Sequence, residues 1–224
     1  MDNHKFIHLD VHTEYSIEDS VVRIPHLINK VCEYNMPAVA ITDINNLFGA
    51  VKFYLAALKQ GIKPIVGTTV RIATPAGGVC ELVLLVMNKQ GFHNLSEILS
   101  AVYIKGQDGV LPADFLTPEG TTDIIALSAG RDGLLGQLIL NDPESAAKCL
   151  QDYQILFPGR YYIQVRRLGH KDDAKFIRSA VELANQHKVP VVATSKVLFL
   201  TPDDHLSHEV RVAVNRGQLL EDPE

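Results

Sequence analysis

Short apolar runs rich in β-branched residues alternate with stretches of helical periodicity along nearly the whole chain. The runs "FIHLDVH" (6–12), "AVAITD" (38–43), "KPIVGTTVRI" (63–72), "LVLLVMN" (82–88), "TDIIALS" (122–128), "YYIQVRR" (161–167) and "VPVVATS" (189–195) read as seven strands. Between and after them, apolar spacing of three and four predicts helices at 23–35, 47–60, 91–105, 132–141, 143–156, 171–187 and 203–216. Pro143 opens one helix and Pro158–Gly159 closes it, while Thr201–Pro202 and Gly217 bracket the last. Strand and helix in regular alternation predict an α/β fold around a mostly parallel sheet. Gly, Pro and Asp cluster at 106–121, which reads as a loop excursion inside one domain spanning 1–224.

Composition narrows the class. With 224 residues, 46% hydrophobic and 21% charged, the chain supports a sizeable core. A net charge of −5 argues against direct nucleic-acid binding. Cys32, Cys80 and Cys149 are odd in number and far apart, fitting neither a disulfide framework nor a zinc ribbon, and a reducing cytoplasm is expected. No apolar run reaches the roughly 18 residues of a membrane span, so no membrane partner is expected.

Candidate chemistry gathers where strands end. Side chains alternate along a strand, so His8, Asp10 and His12 share one side of the first run, as the opening of a metal site would. Later strand ends offer few ligands: Asp43 is followed by Ile44, the third strand carries Thr68 and Thr69, and the last leads into Lys196 and Leu198. Plainer readings stand beside these. His8 reads as a core or edge histidine satisfied by backbone, Asp43 as a helix cap, Glu18 and Asp19 as helix starters, and His205 with His208 as a surface pair.

The segments "FIHLDVHTEYSIEDS", "MPAVAITDINNLFGAVKFY", "GIKPIVG", "GFHNLSEILS", "PVVATSKVLFL" and "HEVRVAV" together resemble the amino-terminal PHP (polymerase and histidinol phosphatase) domains of bacterial DNA polymerase III alpha subunits. The resemblance implies a distorted (β/α)7 barrel of PHP type. In metal-competent members a set of histidines, carboxylates and a cysteine holds up to three metal ions, for phosphoester hydrolysis. Carried over position by position, that set falls on Asp10, His12, Asp19, Ile44, Thr69, Glu81, Gly130, Lys196 and Leu198. Only His12 and Asp19 keep the family's residue, while Asp10 and Glu81 stay able to bind a cation. Ile44, Thr69, Gly130, Lys196 and Leu198 mark lost ligands, leaving room only for a weak magnesium or manganese site. The expected protein is therefore a metal-free structural and docking module. Its implied partners are the polymerase body of the same chain and a separate proofreading exonuclease subunit. A residual metal-dependent phosphoesterase or pyrophosphatase is the alternative. Lys196, and secondarily Arg131, are expected to replace the lost metal charge, with Asp10 or Asp43 as the partners of Lys196.

Overall fold

The computed structural model describes residues 6–220, and the chain divides into two compact units. One comprises the chain up to Gly67 together with the segment from Lys196 onward; the other is Thr68–Ser195.

The first unit holds α1 (Ile24–Glu33), β1 (Ala38–Ile41), α2 (Ala50–Lys59), the start of β2 (Lys63–Ala73) and α7 (His205–Arg216). Helix α1 follows from Pro25 in its first turn and from Ile24, Leu27, Ile28 and Val31, which return to one face every three or four residues. That face is buried against Val11, Val22, Val39, Ile41, Phe53, Ala57 and Ile62, forming the unit's core. Strand β1 is buried along its full length and pairs in parallel with β2, Ala38 opposite Lys63 through Ile41 opposite Val66. Its continuous apolar run has no polar face because both of its sides are covered.

The run at 6–12 reads as a full strand, whereas the structure makes it an extended segment with one ladder bridge, Val11 to Val197. Backbone bonds reach it from both edges: Ala40 N–H donates to His8 O, Thr42 N–H to Val11 O, and His12 N–H to Val197 O. The ladder is interrupted because Val11 N–H donates to the Thr42 hydroxyl, at 3.0 Å, instead of to a carbonyl.

The second unit continues β2 and adds β3 (Val79–Val86), α3 (Lys89–Ile104), β4 (Ile124–Leu127), α4 (Leu134–Ile139), α5 (Pro143–Leu156), β5 (Tyr161–Val165), α6 (Asp173–His187) and β6 (Val191–Ala193). The strands lie in chain order; β3 and β4 are antiparallel, and β4–β5 and β5–β6 are parallel. Side chains cap two of the helices: Asn88 accepts from Gly91 N–H at α3, and Asp142 from Ser145 N–H at α5. The excursion at 106–121 is short turns, with a bridge from Leu111 to Ile72 and a single 3-10 turn at Ala113–Phe115. All seven predicted helices are present, within three residues at either end. No helix among the described residues is long and apolar enough to cross a membrane.

Candidate functional site

In the first unit the residues beyond Val11 turn inward, and three acidic or basic side chains line up. Asp10 and His12 are both completely buried. His12 Nδ1 lies 2.8 and 3.1 Å from the two oxygens of Asp19, and its Nε2 lies 3.9 Å from Asp10 Oδ1. An ionised carboxylate only accepts, so Nδ1 carries the proton that binds Asp19. Burial alone would push the Asp19 carboxyl up. The His12 hydrogen bond and the nearby charges of His12, Lys196 and His208 outweigh it and hold the group below the usual carboxylate range.

Lys196 thus acts on Asp19, a third carboxylate beside the Asp10 and Asp43 expected for it. Asp43 does not cap α2, whose N-cap is Gly49. It is buried and accepts from Thr13 N–H, from the Thr13 hydroxyl at 2.8 Å and from the Ser16 hydroxyl at 2.7 Å. The aspartate thereby fastens the turn after the first extended segment to the end of β1. Nothing in "DINN" itself points to this; the signal is the Thr13–Ser16 pair of hydroxyls upstream. Asp19 starts no helix either, since α1 begins at Ile24.

Two histidines also differ from expectation. His8 Nδ1 is buried without a hydrogen-bond partner among the described residues; its ring stands edge-on to Phe6, and burial pushes its pKa down. His205 is exposed, 3.6 Å from Glu209, and its ring lies 6.5 Å from that of His208, as the pair reading expects, but His208 is part-buried against Phe199, with its charge felt at Asp19.

Of the remaining positions of the inferred ligand set, only Glu81 carries an ionisable oxygen ligand. Ile44 is buried, and Leu198 contributes only its backbone carbonyl, which accepts from Val21 N–H and the Ser20 hydroxyl. In the second unit Thr69 is buried on β2 and Glu81 is part-buried on β3. Gly130 stands at positive φ, and Arg131 beside it engages Asp172 at 2.9 Å and Asp173 at 3.5 Å while lying over the Phe176 ring. Arg166, just beyond the end of β5, is 2.8 Å from Asp132. Burial pushes the Cys80 thiol up to about 11 and Cys149 up to about 12, so neither offers a thiolate at neutral pH. Among the described residues no three His, Cys, Asp or Glu side chains gather closely enough to hold a metal ion.

A model of the PHP domain matches residues 8–167. This chain belongs to the PHP domain family. It is 36% identical over its full length to DNA polymerase III subunit alpha of Vibrio cholerae, covering 20% of that protein. The corresponding subunit of Pseudomonas aeruginosa is 38% identical over 97% of the chain, covering 19% of the relative; that of Escherichia coli K12 is 37% identical over all of it, covering 20%. The chain therefore spans about one fifth of the length of these relatives. Among solved structures, one described as a metal-dependent phosphoesterase from Bifidobacterium adolescentis superposes with a TM-score of 0.59 at 10% identity, covering 93% of this chain and 95% of that one. An amidohydrolase from Chromobacterium violaceum gives 0.55 at 14% identity, covering 92% and 96%. These likenesses establish the α/β fold of PHP type, mostly parallel, as expected.

The Lys196–Asp19 interaction has a pH signature. A carboxyl held low in the folded state contributes stability that is present above its unfolded pKa and lost as pH falls through the folded value. Lys196→Met removes one of the groups that lower Asp19, so it should cost up to about 1 kcal/mol at pH 7 and progressively less below about pH 4. Urea unfolding of both proteins at pH 7 and pH 3 reads this directly. A cost that stays constant across that range would show that Lys196 acts through packing of its stem and not through charge.

Proposed function

We propose that this chain is the PHP module of a DNA polymerase III alpha subunit in which the metal centre is degenerate, and that it serves as a structural and docking module. Its partners in this reading are the polymerase body of the same chain and a separate proofreading exonuclease subunit. The carrying observation is the replacement of ligand chemistry at Ile44, Thr69, Gly130, Lys196 and Leu198, with the charge of Lys196 acting on the carboxylate of Asp19. A protonated lysine repels a divalent cation, and isoleucine, leucine and glycine side chains offer it no lone pair. The ordered His12–Asp19 pair then holds the chain in place in the first unit instead of acidifying water.

The test combines metal content, stability and binding. The purified chain should contain far less than one metal per molecule, and EDTA should leave its Tm unchanged, because its folding rests on a large apolar core and not on ligand bonds. The exonuclease subunit should bind the wild-type chain and the His12→Ala/Asp19→Ala variant alike, since docking affinity concentrates in a few apolar and aromatic anchors. Stoichiometric zinc or manganese, with phosphoesterase turnover abolished by His12→Ala, would replace this reading with a residual metal-dependent hydrolase.

A further inference from the structure

Ile17 stands in a conformation that its side chain resists. Its φ of +66° and ψ of −44° are those of a γ-turn of the rare, strained hand, closed by Glu18 N–H donating to Ser16 O at 2.7 Å. A β-branched residue is the worst suited to positive φ, because its Cβ substituents crowd the neighbouring backbone. The isoleucine side chain is 63% exposed, so its burial does not offset the strain.

Fixed points on either side show why the strain persists. Ser16 is held by its hydroxyl on Asp43, at 2.7 Å, and Ser20 by its hydroxyl on the His12 carbonyl, at 2.6 Å. Ile17, Glu18 and Asp19 must bridge these two points. Within the bridge, the Asp19 carboxylate meets His12 Nδ1 at 2.8 Å, and the Ile17 carbonyl accepts from the Arg211 guanidinium of α7 at 3.0 Å. A strained backbone residue and a charge-assisted hydrogen bond near the surface are each worth roughly tenfold in an equilibrium. The two oppose one another here at comparable strength, which leaves the bridge close to balance between a strained and a relaxed form. None of the α7 residues is buried, so the element that supplies Arg211 is itself lightly fixed.

We infer that Arg211 is a clamp through which α7 controls this three-residue bridge. With α7 in place the turn stays strained and Asp19 stays on His12; when α7 withdraws, the bridge relaxes and the pair parts. Turn, pair and helix all lie in the first unit, and the coupling holds whichever partner the chain has.

The protection of the Glu18 amide against hydrogen exchange, followed by NMR in the 224-residue chain, reads the opening of the bridge. Arg211→Ala should lower that protection about tenfold and broaden the ring N–H signal of His12. Val210→Pro, which breaks α7 in its middle, should do the same. Ile17→Gly should raise the protection about fivefold, since glycine takes this φ freely. The Ile17→Gly/Arg211→Ala double variant should therefore return towards the wild type. An arginine that merely fastens α7 to the surface would not be rescued by a change at residue 17. Protection left unchanged by Arg211→Ala, a double variant as unprotected as Arg211→Ala alone, or a loss of protection in Ile17→Gly would each overturn the inference.

Discussion

Replacing Asp43 with alanine should destabilise the chain by about 3–5 kcal/mol, lowering Tm by roughly 10 °C for a chain of this size. The carboxylate is 1% exposed and takes three donors, the Thr13 amide and the hydroxyls of Thr13 and Ser16. Alanine leaves all three donors buried without their acceptor, and a stranded buried donor costs more than a made hydrogen bond gains. Asp43→Asn should be milder. Its carbonyl still accepts, and a hydroxyl can turn to accept from the new amide, though the Thr13 amide cannot. Thermal and urea denaturation of the two variants check the order. A loss below about 1 kcal/mol for alanine would mean that water or a neighbouring group takes over the donors.

Gly136→Ala should also be strongly destabilising, and with the sign opposite to helix propensity. Gly136 lies in α4, where alanine is ordinarily favoured by about 1 kcal/mol. Its Cβ, however, would collide with the carbonyl oxygen of Gly130 and press on the Arg131 backbone. Backbone cannot swing aside as a flexible side chain can, so the steric cost should prevail by about 3 kcal/mol. The same turn also carries Arg131, which holds Asp172 at 2.9 Å. Urea unfolding of the variant gives the number, and an unchanged or raised midpoint would show that the turn can retreat from α4.

Much of the fold was legible because its signals are local. Apolar spacing of three and four marks α1 from Ile24 to Val31, and Pro143 marks the start of α5, without reference to any distant residue. The first strand was less legible, since the Thr42 hydroxyl that takes the Val11 amide is 31 residues away and no periodicity announces it. The site divides in the same manner. That His12 and Asp19 belong together follows from the family pattern, and they do meet at 2.8 Å. The cap reading of Asp43 fails because a short apolar strand ending in Asp reads identically whether the carboxylate turns forward to a helix or back to Thr13 and Ser16. The surface reading of His208 falls short because the contact of its ring with Phe199 depends on the direction in which α7 leaves the chain, which spacing on one helix does not reveal.

The division of the chain has a consequence for its synthesis. Thr68–Ser195 is one unbroken stretch, whereas the first unit is assembled from two pieces of sequence on either side of it. On the ribosome, the segment around Val11 must therefore wait until residue 197 emerges before His12 N–H and Val197 N–H find their acceptors. Closing so long a loop adds only logarithmically to the entropy of ordering, but it slows the event itself. The uninterrupted unit can close during that interval, and the buried Asp10 and His12, with Asp19 beside them, are then among the last parts of a nascent chain to become sheltered from water and proteases.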